Sequence, residues 1–319
     1  MCSFAASMRA MKDSSQNKFL VYTLVCLAVI FWGVSYVWTK LAFEFYKPIT
    51  VMLIRLSISA TLLTLLFRVM KLGERVERAD YKAFFWLSVF SPFFYFIGEN
   101  FGVYHVSPTV AAVIIATIPV FAPLLGYVAF RERVSWLNVL GFIVSFMGVL
   151  VMVLDADLRL TASPIGIFWL FFAVVSALVN VIFLKRLAIK YSSFTIIRVQ
   201  NILGALFFLP VFLVMDAGEF IHIRPSWQAV GALFALAVFG STLAFMFYTS
   251  GVRAIGIART AIFTNLIPVV TAITSFIFLK EMIDMNRIAG MIIVITGLLM
   301  TQVSRLRRGK KQKGPGGLA

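Results

Sequence analysis

The chain is poor in the residues that soluble enzymes, metal centres and disulfide scaffolds rely on. It has 2 cysteines, 2 histidines and 13 acidic side chains in 319 residues. Cys2 and Cys26 give neither a disulfide framework nor a metal-ligand spacing. No H-E-x-x-H run is present, so the zinc site of that motif is not expected. No glycine-rich phosphate loop followed by Lys and Ser or Thr occurs either, so this chain is not expected to drive transport with ATP. No nucleophile–base set stands out, and no cofactor is called for. Charged residues make up only 13%, against about 25% in a soluble domain. A water-soluble enzyme is excluded.

What fills the space is apolar. Hydrophobic residues reach 61%, Phe alone contributes 33, and mean hydropathy is +0.97. A helix crosses a bilayer core with about 20 mostly apolar residues. Ten segments meet that requirement: Leu20–Phe43, Pro48–Met70, Ala83–His105, Pro108–Phe130, Trp136–Leu154, Gly166–Leu184, Phe194–Met215, Trp227–Gly251, Ala258–Leu279 and Arg287–Val303. The first run is too long for a signal-peptide core and has no small-residue cleavage pattern after it, so it is expected to stay as a span. Barrel strands would alternate in polarity every second residue, and these runs do not. The predicted fold class is an all-α polytopic membrane protein.

The net charge of +16 does not point to nucleic acid, because the basic residues sit in the gaps and tails. With ten spans, 21 Lys and Arg fall on the side of the two termini and 6 on the other. Basic residues mark the cytoplasmic side, which predicts both termini inside the cytoplasmic membrane. The basic stretch Arg305–Lys313 with Gly314–Gly317 is expected to be disordered and drawn to anionic lipid.

An internal repeat appears when the chain is offset by 149 residues. Gly102, Pro119, Glu132, Gly141 and Gly148 then meet Gly251, Pro268, Glu281, Gly290 and Gly297. Matches of Leu or Val are cheap in an apolar chain; matches of these scarcer residues are not. Each copy holds five spans, and an odd number inverts the second copy. Inverted repeats are a common plan of secondary transporters, with the site near the midplane between them. The fold is therefore expected as ten transmembrane helices in two inverted five-helix repeats.

Span one carries Phe31-Trp32-Gly33-Val34-Ser35-Tyr36-Val37-Trp38-Thr39-Lys40, and span two an intramembrane Arg55. Spans three and four are joined by Glu99-Asn100-Phe101-Gly102-Val103-Tyr104-His105-Val106-Ser107-Pro108-Thr109-Val110-Ala111-Ala112; Pro119-Val120-Phe121 follows, and Phe130-Arg131-Glu132-Arg133 closes span four. This pattern resembles the EamA-type transporters of the drug/metabolite transporter superfamily over essentially the whole chain. The second copy repeats the closing element as Leu279-Lys280-Glu281 but has Ser176-Ala177 where the first has Trp-Gly. The resemblance implies two EamA-like repeats, residues 20–154 and 166–303. Around them lie an N-terminal tail 1–19, an external loop 155–165 and a basic tail 304–319. It also implies export of small metabolites such as amino acids or amines, and a cavity lined by spans one, three, four, six, eight and nine.

Glu99 is the one acid well inside a span, and ionisable groups there are costly and functional by default. Desolvation opposes its charged form, which suits it to a coupling proton or to a substrate amine. Arg55 lies at a similar depth, roughly 10 Å in from the expected outer end, so an Arg55–Glu99 charge pair is feasible. Tyr95 and Phe96 share a helical face with Glu99, and Pro92 on that face is expected to bend the helix. Trp32, Ser35, Tyr95, Glu99, Asn180, Tyr248 and Asn265 are the substrate-cavity candidates. Pro119 and Pro268 are the helix-interruption candidates, and interrupted helices point to transporter sites. Asn201 and Gly33 suit helix packing, Trp38 an outer interface anchor, and Glu132 and Glu281 solvated boundary pairs. The expected activity is secondary transport by alternating access, with a small-molecule substrate and the lipid bilayer as partners; a homo-oligomer is compatible. An importer or nucleotide-sugar-type carrier stands as the alternative, and an intramembrane enzyme or receptor as the alternative of another class.

Overall fold

The computed structural model describes residues 18–70, 74–130, 135–154, 160–224 and 226–312. Cys2, Glu132, the core of the 155–165 loop and the last residues of the chain lie outside them. Among the described residues every long element is helical, and eight helices are long and apolar enough to span a bilayer. The other two expected spans are present but interrupted, at Tyr81–His105 and Pro108–Phe130. Leu213, Val214, Phe276, Ile277 and Phe278 project outward from the bundle. A belt of that composition calls for lipid as the solvent.

The interruptions have chemical causes. In the third span Ser91 adopts extended backbone (φ −150°, ψ 121°), and Pro92 has no amide hydrogen to donate. Carbonyls on and before this break lose their helical donors, and the second repeat supplies replacements. Asn180 donates to the Leu87 carbonyl at 2.8 Å, and Gln200 donates to the Ser91 carbonyl at 2.6 Å. The fourth and ninth spans break at Thr117 and at Thr264–Leu266. Pro119 and Pro268 each stand second in the helix that follows, Ile118–Phe130 and Ile267–Leu279. There the missing amide costs little and the fixed φ favours a new helix.

The repeat is visible as packing across its own axis. The fifth span, Trp136–Val153, and the tenth, Met285–Gln312, lie against each other through the matched glycines. A methyl group on Gly148 would fall 2.7 Å from the Val294 nitrogen, and one on Gly290 would fall 2.7 Å from the Gly148 carbonyl oxygen. Ser145 donates to the Val294 carbonyl at 3.1 Å, and those two residues are 149 apart. Small residues let helix backbones approach where lipid gives no hydrophobic drive for association.

The second and seventh spans, Pro48–Met70 and Ser193–Met215, show a similar reciprocity at their ends. Asp216, just after the seventh, accepts from the Thr50 amide (3.1 Å) and hydroxyl (2.7 Å). Glu74, after the second, accepts from the Ser192 amide (3.1 Å) and the Thr195 hydroxyl (2.6 Å). Each carboxylate caps the free amides at the start of the other helix. Nearby, the Lys190 ammonium and the Tyr191 hydroxyl bond Asp80 and hold its carboxyl below the ordinary range.

Two expectations change. The tenth helix does not end at Val303: its backbone stays helical to Gln312, so the basic stretch is not a disordered tail over that length. Arg, Lys, Leu and Gln are good helix formers, and cations suit a helix C-terminus. Glu281 is not a solvated boundary residue, since its side chain is only 9% exposed. Lys280, in left-handed backbone (φ 53°), turns the chain at the end of the ninth span. Glu281 then accepts from Thr109 at 3.0 Å and Arg287 at 3.2 Å. At the same end of the bundle, Lys40 donates to the Val103, Tyr104 and Val106 carbonyls at 2.9–3.2 Å, capping the third span.

Candidate functional site

A cavity of about 340 Å³ lies between the two repeats. Its walls come from spans one, three, four, six, eight and nine, with Arg55 reaching in from span two. Trp32, Ser35, Tyr95, Glu99, Asn180 and Tyr248 all line it, as does Pro119. Asn265 and Pro268 do not.

Trp32 forms one wall. Its indole nitrogen donates to the Gly240 carbonyl at 3.2 Å, and its ring meets Phe245 and Tyr248 at 5.0 and 5.1 Å between centroids. Ser35 donates to the Trp32 carbonyl at 2.6 Å. Close approach of spans one and nine sets this wall in place: Thr271 donates to the Gly33 carbonyl at 3.0 Å, and a Cβ on Gly33 would lie 2.6 Å from Val270. Trp38 is half-buried and packs on Phe239 (5.9 Å) of span eight, rather than standing free as an interface anchor.

The two ionisable groups face this cavity without bonding each other. Arg55 is 4% exposed; its Nε donates to Ser241 Oγ at 2.5 Å, and its guanidinium carbon lies 4.6 Å from the Phe96 ring centroid. Glu99 Oε1 accepts from Tyr95 at 2.8 Å and from Tyr36 at 3.2 Å. The expected Arg55–Glu99 charge pair is therefore not made. Equal depth brought the two groups to the same cavity, but Ser241 serves Arg55 while Tyr36 and Tyr95 serve Glu99. Arg198, the rough counterpart of Arg55, stacks on Phe67 at 3.7 Å and stays off the cavity.

Asn265 bonds another span rather than lining this cavity. It is 4% exposed and exchanges two 3.0 Å hydrogen bonds with the Gln302 amide of span ten. A buried amide that finds a reciprocal amide is a helix–helix tie. Asn180 has a double character, lining the cavity while satisfying the Leu87 carbonyl. Asn201 donates to Ser59 across spans two and seven, as its packing role requires.

Tyr36, Ser241 and Gln302 were not foreseen. Tyr36 stands inside the span-one motif, four residues from Trp32, so its face was legible. Ser241 and Gln302 carried no signal beyond being polar within apolar runs.

The EamA-like transporter family model matches twice, over residues 19–154 and 164–303. An uncharacterized transporter of Archaeoglobus fulgidus is 26% identical over 280 residues, covering 87% of this chain and 96% of that protein. A probable terminal-alkyne amino-acid exporter of Streptantibioticus cattleyicolor is 25% identical, covering 68% and 71%. A protein of known crystal structure shares the fold with a TM-score of 0.66 at 13% identity, covering 89% of this chain and 98% of its own. The apolar helices, the inverted halves and the double match lead to one assignment: the chain is an integral multi-pass membrane protein and belongs to the EamA-like transporter family.

Proposed function

We propose that this protein is a secondary transporter that exports a small amino-acid- or amine-like metabolite across the cytoplasmic membrane by alternating access. The observation that carries this reading is a cavity between the repeats that puts one acid, one base and an aromatic wall at their interface. Transporter sites lie where two halves rock about a common point, and here both halves contribute walls. The amino-acid exporter among the relatives supports the cargo class. Glu99 offers either a seat for an amine or a site for a coupling proton. The charge count supports a topology with both termini in the cytoplasm.

Counterflow in proteoliposomes tests the proposal. Vesicles loaded with an unlabelled metabolite should accumulate the labelled one transiently, for amino acids or amines and not for sugar phosphates or nucleotides. Flux of a nucleotide sugar alone would replace this reading with the carrier alternative. A reporter fused after Arg308 should be read from the cytoplasm; an external signal would invert the topology.

A further inference from the structure

We infer that Arg55 receives a carboxylate and Glu99 an ammonium of the same cargo molecule, so that the cargo is a zwitterion. This rests on the transporter reading and adds what the two charges recognise.

Each group is half-satisfied in a complementary way. Ser241 holds Arg55 through Nε, and Phe96 fixes the plane of the guanidinium from one face. The two terminal nitrogens have no hydrogen-bond partner among the described residues, and the side chain lines the cavity. What remains is a fork with one plane and one direction, the geometry that pairs bidentately with a carboxylate. On the other wall, both tyrosine hydroxyls converge on Glu99 Oε1, and Oε2 has no partner among the described residues. A carboxylate held through one oxygen presents the other to a donor.

Three cargo types can be weighed against that arrangement. An amine without a carboxylate pairs with Glu99 but adds a second cation to a cavity that already holds Arg55. An anion without an amine reverses the problem, and a neutral cargo leaves both charges uncompensated. Breaking one side of a buried pair strands the other charge in a poorly solvated site, which is strongly unfavourable. Only a molecule with both charges answers both groups at once. The Trp32, Phe245 and Tyr248 wall also gives an ammonium aromatic faces. Ser241 and Phe96 are then positioning residues that act through Arg55.

The test uses purified full-length protein and matched probe sets built on alanine, leucine and phenylalanine: the amino acid, its amide, and its desamino acid. Affinity is read from Trp fluorescence or thermal shift. Wild type should bind at least one amino acid about tenfold or more tightly than both its amide and its desamino partner. Arg55→Lys keeps the charge and loses the fork; it should erase the preference over the amide and keep that over the desamino acid. Glu99→Gln should do the reverse. Ser241→Ala, which leaves both charges in place, should weaken only the preference over the amide, by about threefold, and serves if Arg55→Lys does not fold. Equal binding of amide and amino acid by wild type overturns the inference, as does failure of every probe to bind. Amine-only flux would sink the inference and leave the transporter reading standing. The expected binding pattern without any counterflow would do the opposite.

Discussion

Gly148→Leu should give no monodisperse folded protein, and Gly148→Ala should lower stability by about 1–3 kcal/mol. The glycine faces backbone, not a side chain that can swing away: its nearest neighbours are the Val294 nitrogen and the Gly290 carbonyl oxygen. Even one added methyl therefore has to separate the fifth and tenth helices. A leucine has to separate them along about two turns, breaking the reciprocal contacts at Gly141 and Gly297 as well. Stability of a domain is only about 5–15 kcal/mol in all, so a seam opened along its length is not survivable. Gly231 is the control, because nothing lies within 4 Å of a Cβ there. Gly231→Ala should be neutral or stabilising by about 1 kcal/mol, since glycine is the poorer helix residue. Fluorescence-detected size exclusion followed by thermal unfolding in detergent reads both effects. A well-folded Gly148→Leu protein would mean that the two halves do not meet along this seam.

Glu99→Gln should insert and fold normally yet lose transport by about 10–150-fold. Folding survives because the amide oxygen of glutamine still accepts from Tyr36 and Tyr95, the two bonds that hold Glu99 in place. Transport fails because the charge is gone and the open oxygen becomes an NH₂ donor. A hydrogen bond to a charged group is worth about 1.5–3 kcal/mol, and 1.4 kcal/mol is a factor of ten, which gives the range stated. Arg55 is held by Ser241 and Phe96 rather than by a direct bond to Glu99, so a thermal shift should be small while counterflow collapses. A large loss of stability with residual transport intact would make Glu99 a structural residue.

The helices, their number and the inverted plan were legible because they rest on quantities that any apolar chain exposes: run length, and the register of scarce Gly, Pro and Glu residues. The cavity's helices were an expectation from the family resemblance, not from run length or register. Side-chain partnership was not legible. Asn265 looked like a site residue because an amide in an apolar run needs a partner, and the sequence does not show that Gln302, 37 residues on, turns toward it. Arg55 and Glu99 share a depth, but helix rotation decides whom each meets, and Ser241 and the two tyrosines are 186, 63 and 4 residues away. Pro92 announced a bend; that Asn180 and Gln200 of the other repeat would take up the stranded carbonyls depends on contacts over 93 and 109 residues.

Access to Ser35 from the two sides of the membrane is the decisive observable. Ser35 lines the cavity and donates to the Trp32 carbonyl of its own helix, so a cysteine there is a near-isosteric probe. With Cys2 and Cys26 replaced by serine, a membrane-impermeant maleimide is added from one side and then from the other in oriented vesicles. A protein that alternates about the cavity should show Ser35→Cys reacting from both sides, with both rates slowed by bound amino acid. A cysteine at Asn265, turned toward span ten, should show neither behaviour. Reaction of Ser35→Cys from one side alone, or rates that no cargo changes, would contradict alternating access through this cavity.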